Sequence, residues 1–210
     1  MARRASEKLK ETRRDEIIDA CEKLYRSLSF KEITMKEISQ ETSFTRPSIY
    51  NYFQTKEEIF LALFAKEYDR WIEDLNDLYE KDRLTVDEFA EGLSRSVEKR
   101  ALLLKLLSMN MFDMEENSRE EALANFKTSY GNALKAVSKC LDKVSPSLKE
   151  KEKEDFIYSF FPFMYGIYPY TSVTEKQKKA MENANVGFVY NTVYDLTFKT
   201  VKKLLNRGEL

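Results

Sequence analysis

Residues 33–59, ITMKEISQETSFTRPSIYNYFQTKEEI, hold three threonines that are each placed to open a helix. Thr34 stands three residues ahead of Glu37, the spacing of a capping box in which the hydroxyl accepts from the Glu37 amide and the carboxylate reaches back. Thr45 precedes a turn where Pro47 loses nothing by lacking an amide hydrogen. Thr55 is followed by Glu57 and Glu58, whose charges complement the positive end of a helix dipole. After the first start Met35 and Ile38 face inward, and the chain breaks at Thr42-Ser43-Phe44. After the second, the spacing predicts a short helix from Arg46 to about Phe53, with Ile49 and Phe53, one turn apart, on the core side. Arg46, Ser48, Tyr50, Asn51 and Tyr52 are then left facing outward. Exposed aromatic and amide side chains beside an arginine are unusual for a helix that only supports a core.

On the N-terminal side, Ile17, Ile18, Cys21, Leu24, Tyr25 and Leu28 recur at three- and four-residue steps and predict a helix from Arg13 to Phe30. On the C-terminal side, the stripe that begins at Ile59 and Phe60 runs on through Leu63, Phe64, Tyr68, Trp71, Leu75 and Tyr79, a helix of about 25 residues. Beyond Asp82 further helices are expected over about 85–109, 111–116, 118–144, 149–170 and 186–206, with breaks at Asn117-Ser118, Ser145-Pro146 and the polar stretch 171–185. The expected fold is all-α: an N-terminal three-helix helix-turn-helix domain, residues 1–60, joined by the long helix to a larger helical domain, residues 61–210.

Composition agrees with this. Hydrophobic residues make up 42% and charged residues 34%, while glycine and proline together number nine, which suits helices with charged outer faces better than a β-sandwich. The net charge of −1 conceals an uneven distribution: Arg3, Arg4, Lys8, Lys10, Arg13 and Arg14 face only Glu7 and Glu11 within the first fourteen residues. On charge alone this basic arm reads equally as a phosphate-binding segment or as a solvated tail. Cys21 and Cys140 lie far apart with no secretory signal ahead of them, so both are expected in the core of a cytoplasmic protein. No apolar run approaches the ~18 residues that cross a bilayer. The absence of histidine removes the commonest general base and transition-metal ligand, so Ser-His-Asp chemistry and His-based zinc sites are excluded, and neither a Walker A nor a GxGxxG sequence occurs. Carboxylate pairs such as Glu57-Glu58 and Glu115-Glu116 read as helix surface. No catalytic residue, metal or cofactor is expected.

Two short helices joined by a tight turn, the second presenting polar and aromatic side chains, suit a major-groove reader. Here the chain resembles the TetR family of transcriptional regulators. The likeness is carried by Ile33-Thr34-Met35-Lys36-Glu37-Ile38-Ser39, by Thr45-Arg46-Pro47-Ser48-Ile49-Tyr50-Asn51-Tyr52-Phe53 and by Lys56-Glu57-Glu58-Ile59, and covers roughly residues 13–64. It departs at the turn, where Thr42-Ser43-Phe44-Thr45 stands in place of the frequent Ala-Gly-Val-Ser; a left-handed Ser43 would cost about 1–2 kcal/mol. The resemblance implies that Thr34, Tyr52 and Lys56 bind phosphate while Thr45, Arg46, Ser48, Tyr50 and Asn51 face the groove of double-stranded operator DNA. It also implies a homodimeric repressor released from a palindromic operator by a small-molecule effector.

In the body, Phe156, Tyr158, Phe160, Phe161, Phe163, Tyr165, Tyr168 and Tyr170 crowd into fifteen residues, with Pro162 expected to kink their helix. Two readings stand side by side: a dense aromatic core or dimer surface, and a pocket for an apolar or aromatic effector lined by Phe160, Phe163, Tyr165 and Tyr168. By resemblance the last two long helices of two subunits meet in a four-helix bundle, which places Tyr190, Tyr194, Phe198 and Val201 at the interface. Two rival readings remain open, a DNA-binding adaptor controlled by a protein partner and an enzyme of the all-α body.

Overall fold

No glycine or proline precedes Pro47, so nothing in the chain interrupts a helix that starts near its beginning. In the computed structural model, which describes residues 2–206 with side chains from Glu7 onward, helix α1 spans Ala2–Ser27. It begins well before Arg13 and includes the basic arm, so Lys8, Lys10, Arg13 and Arg14 are helical residues; the side chains of Arg3 and Arg4 lie outside those described. It also ends before Phe30. There the Ser29 amide and hydroxyl donate to the Glu32 carboxylate at 2.8 and 2.6 Å, and the Phe30 ring packs edge-on against Phe60 at 4.8 Å.

Helix α2 spans Met35–Gln40, α3 Arg46–Ile49 and α4 Lys56–Tyr79. Thr34 caps α2 by accepting from the Lys36 amide, 3.2 Å, rather than from that of Glu37, and its hydroxyl donates to the Glu37 carboxylate. The α3 helix is shorter than its apolar spacing suggests: after Ile49 the chain continues as a turn in which the Tyr52 and Phe53 amides both donate to the Ile49 carbonyl. Thr55 does cap α4, accepting from the Glu58 amide at 3.2 Å. Among the described residues only Asn185 has a positive φ outside glycine, so Ser43 avoids the left-handed region; its amide instead donates to Glu16 Oε1 at 2.6 Å.

The described chain divides into two compact units. The first comprises the residues up to Lys66 with Asn110–Tyr130, and the second Glu67–Met109 with the residues from Gly131 onward. In the first, Ile17, Cys21, Ile33, Ile38, Ile49, Phe53, Phe60 and Phe64 are buried, with Tyr25 edge-on to Phe60 at 5.0 Å and Phe64 against Phe126 at 4.9 Å. Each fully buried ring contributes about 1.5–3 kcal/mol of apolar transfer. Burial drives the Cys21 thiol far above its ordinary range and that of Cys140 to about 11, as expected of core residues.

The first unit also encloses a charge. Glu58 is 1% exposed, and its carboxylate accepts from the Gln54 amide at 2.8 Å, the Arg119 amide at 3.1 Å, Arg119 Nε at 2.6 Å and Arg119 Nη2 at 2.7 Å. Beside it the Thr55 hydroxyl donates to the Asn117 carbonyl, 2.8 Å. Burial alone pushes the Glu58 carboxyl up, but the bonds from Arg119 and Gln54 and the guanidinium charge outweigh it and hold it below the usual carboxylate range.

In the second unit α5 spans Val86–Lys99 and α6 Ala101–Leu107, two helices where the periodicity predicts one. They part at Arg100, whose ψ of 47° leaves the helical region and whose guanidinium, with Lys99, holds Asp74 at 2.5–2.6 Å. Helix α7 spans Met111–Glu116 in the first unit, and α8, Glu120–Val144, carries the chain on into the second. Helix α9, Glu150–Thr171, runs through Pro162 and Pro169, both on its exposed side. Helix α10, Glu175–Asn183, occupies the stretch expected to be a break, and α11 is confined to Val193–Leu205. Trp71 anchors this unit: fully buried, it donates from Nε1 to Ser96 Oγ at 2.9 Å and meets the Phe161 ring at 5.8 Å. Where α5 crosses α4, a Cβ at Gly92 would lie 2.5 Å from Leu78 Cδ1.

Two outcomes follow. Gly92→Ala should lower stability by about 1 kcal/mol, overpacking outweighing the gain in helix propensity. In a Leu78→Ala background the same change should become neutral or stabilising, a reversal that thermal melts would detect. Glu58→Gln should cost about 1–3 kcal/mol at neutral pH. Because the folded Glu58 titrates below its unfolded value, its contribution is present above about pH 4.3 and is lost as the pH falls through the folded value. The stability difference between wild type and Glu58→Gln, measured by urea melts from neutral pH downward, should therefore shrink through that acid window; a constant difference would show that the carboxylate's ionisation plays no part.

Candidate nucleic-acid interface

The segment from Thr45 to Tyr52 presents its polar side chains because Ile49 and Phe53, 0% and 2% exposed, anchor the opposite face. Thr45 takes the extended conformation of a helix cap, yet its hydroxyl meets Ser48 Oγ at 3.0 Å instead of a backbone amide. Arg46 reaches one turn along to Tyr50: Nη2 donates to the phenol oxygen at 3.2 Å and the guanidinium lies 5.9 Å from the ring centroid. Asn51 is exposed and Ser48 half-buried. Arg46, Tyr50 and Asn51 thus project from a little over one turn of backbone, a layout that fits the edge of a base pair and leaves the arginine fork free on one side.

Tyr52 is half-buried and braced from α1. Its phenol oxygen accepts from Arg13 Nη1 at 3.5 Å, its carbonyl accepts from Arg14 Nη1 at 3.3 Å, and the Arg14 guanidinium covers the Phe53 ring at 4.5 Å. Lys56 donates to the carbonyls of Phe30 and Ile33 at 2.9 and 3.1 Å and sits 3.9 Å above the Phe30 ring, so two of its three ammonium hydrogens are engaged within the protein. Ile33 directly precedes Thr34, which brings Thr34 and Lys56 into one neighbourhood. The Thr34 hydroxyl, followed by the backbone amides, holds the half-exposed Glu37 carboxyl below its usual range.

Several residues of this region escape the sequence reading. The bracing by Arg13 and Arg14 is foreshadowed only by the basic run, and Glu16, which fixes the Ser43 amide, has no local mark at all. Arg119, 61 positions beyond Glu58, cannot be paired with it from spacing.

In the second unit the four candidate effector residues separate. Phe160 is fully buried among Phe156, Phe161 and Phe163, with ring centroids 5.6–6.1 Å apart, whereas Phe163, Tyr165 and Tyr168 are half-buried. An apolar hollow of about 310 Å³ lies farther along, lined by Pro169, Tyr170, Val173, Met181 and Phe188. Of the candidate interface residues, Tyr190 is 53% exposed, and Tyr194 and Phe198 stack at 5.7 Å and remain half-exposed. Val201 must be corrected: it is fully buried by its own chain on the side where α11 packs on α5 and α9, and offers no surface to a partner. No helix among the described residues is long and apolar enough to cross a membrane.

Residues 17–63 match the family model for bacterial regulatory proteins of the tetR family, and residues 65–192 match that for the tetracyclin repressor-like C-terminal domain. The uncharacterized HTH-type transcriptional regulator YfiR of Bacillus subtilis (strain 168) is 27% identical over an alignment of 99 positions that covers 44% of this chain and 48% of that protein. The match therefore spans about half the length of this curated relative. Among solved structures, a TetR/AcrR-family regulator from Thermobifida fusca superposes with a TM-score of 0.61 at 16% identity, covering 95% of this chain and 99% of that one. The fatty acid degradation regulator FadR from Bacillus halodurans gives 0.60 at 16% identity over 93% and 98% of the two chains. FadR from Bacillus subtilis in complex with stearoyl-CoA gives 0.52 at 17% identity over 91% and 97%. At these identities the likeness is one of fold.

Proposed function

The chain belongs to the TetR family of bacterial regulatory proteins, and from that premise we propose that it acts as a homodimeric repressor which binds a roughly palindromic operator and leaves it when a small apolar or aromatic effector occupies its helical body. Residues 1–60 form the DNA-binding domain in this reading, and residues 61–210 the dimerisation and effector domain. The observation that carries the proposal is the set of side chains projecting from the α3 segment: Arg46, Tyr50 and Asn51 exposed together, with Ile49 and Phe53 locked beneath them. Thr45 and Ser48 supply hydroxyls at the entry of the same turn, and Thr34, Tyr52 and Lys56 flank it as phosphate contacts. Stearoyl-CoA in the Bacillus subtilis neighbour supports an apolar effector, for which Phe163, Tyr165 and Tyr168 offer half-buried rings on one helix beside the buried Phe160.

Dimerisation is assigned to α9 and α11. The outward side of α9 carries Tyr158, 71% exposed, with Pro162, Gly166 and Pro169, and α11 adds Tyr194 and Phe198, so a sizeable apolar surface is left for a second copy.

Contacts to phosphate and contacts to bases must fail differently, because only the latter carry sequence information. DNA fragments retained by the purified protein would supply the operator. On it, Arg46→Ala should cost about 1–3 kcal/mol per half-site and relax preference at one position in each half-site together. Tyr52→Phe should weaken operator and random duplex by similar factors and leave the preference intact. If neither substitution alters affinity or selectivity at moderate salt, the α3 segment is not the reader. For the dimer, Tyr158→Glu combined with Tyr194→Glu should give monomers in sedimentation, and persistence of a dimer would place the interface on other helices.

A further inference from the structure

A polar cleft of about 150 Å³ opens in the first unit between α1, the turn after α3, the first turns of α4 and the start of α8. Stretches far apart in sequence bring cations to its wall, Lys10 and Arg14 from α1 and Arg119 from the entry to α8, together with the amides of Asn51 and Asn125. Glu58 and Glu121 also line it. Glu58 is matched by Arg119, so the wall as a whole retains one positive charge in excess. Arg119 spends Nε and Nη2 on Glu58, which leaves Nη1 available on a side chain 42% exposed. Arg14 gives Nη1 to the Tyr52 carbonyl and turns the face of its guanidinium to Phe53. The Lys10 ammonium and the Asn51 and Asn125 side-chain amides have no hydrogen-bond partner among the described residues. Apolar packing explains the Phe53 and Phe126 side of the cleft but not this convergence of unspent donors. Like charges brought together repel one another, and the chemistry that relieves the repulsion while using every donor is an oxyanion with several acceptor oxygens.

We propose that this cleft binds a phosphate group through Lys10, Arg14, Asn51 and Asn125, with Arg119 at its edge. The phosphate comes either from the backbone of bound duplex or from a free phosphorylated anion. The duplex source rests on the reading of the α3 segment given above, because Asn51 belongs both to that segment and to the cleft; the free-anion source does not.

Asn125→Asp is the decisive variant. It lies on α8, outside every helix-turn-helix contact, and puts a like charge into the site. Lys10→Gln removes one cation, and Asn183→Asp on the exposed α10 is the matched charge control, with thermal melts of all three to verify the fold. Binding of a random-sequence duplex is measured across a salt series, and inorganic pyrophosphate is titrated calorimetrically. Loss of one phosphate contact per subunit should lower the salt slope by about 0.9 per subunit, equivalent to about an eightfold loss for each at 0.1 M salt. If the duplex fills the cleft, Asn125→Asp and Lys10→Gln both weaken duplex binding by that order while Asn183→Asp does not, whether or not pyrophosphate binds measurably. If a free anion fills it, both cleft variants weaken pyrophosphate binding and Asn125→Asp leaves duplex binding unchanged. Equal behaviour of Asn125→Asp and Asn183→Asp toward both probes would overturn the proposal. A wild-type protein that binds pyrophosphate but no duplex would instead overturn the proposed function and leave the cleft standing.

Discussion

A carboxylate with almost no exposed surface takes its hydrogen-bond donors from the protein, and the Glu58 side chain finds four, all of them from Gln54 and Arg119. Gln54 lies in the turn between α3 and α4, Glu58 belongs to the first turn of α4, and Arg119 leads into α8. One ionised group therefore fixes the exit of the α3 segment, the start of the long helix and the placement of a stretch some sixty residues away. The attraction of opposite charges is only part of the effect. Removing either partner leaves the other group's donors or acceptors unmatched in a place where water serves them poorly, and that asymmetry makes the arrangement specific.

A four-residue helix cannot order itself, since nucleating helical turns costs more than a few hydrogen bonds return. The stiffness of the α3 segment comes from outside it: from Ile49 and Phe53 in the core, from Arg14 across the Phe53 ring, from Arg13 beside Phe44 at 5.6 Å, and from Lys56 holding the carbonyls just before α2. Such cation–ring contacts are worth about 0.5–1 kcal/mol each at exposed sites. In the proposed function these same arginines and lysines also face phosphate, so bracing and attraction would be two consequences of one set of residues.

The sequence was legible wherever local chemistry repeats. Thr34, Thr45 and Thr55 mark three helix starts, Ile49 and Phe53 mark the core side of the α3 segment, and the family resemblance over residues 13–64 coincides with the N-terminal family model over residues 17–63. It was illegible wherever a decision depends on distant residues. The division between α5 and α6 at Arg100 coincides with the grip of Asp74 on α4, and α10 escapes notice because a helix that buries nothing has no apolar period to read. Val201 shows the limit of reading a stripe: an apolar stripe on α11 serves both its own core and the outside, and periodicity alone does not divide it between them. The buried status of Phe160 against the half-exposure of Phe163 is a distinction of the same kind.

Helix α10 has no buried residue, and local contacts at its start, the Thr174–Gln177 box and the Lys178–Glu175 ion pair, do much to define it. Nine residues with so little packing form a helix that should open at a free energy below that of global unfolding. Its amides should exchange with solvent almost as fast as those of a peptide, and a protease should nick the chain here before it reaches α9 or α11. An affinity tag or fluorescent reporter inserted between Thr174 and Asn183 would then leave the packing of the remaining helices as it was, which makes this segment the natural handle for watching the protein at work.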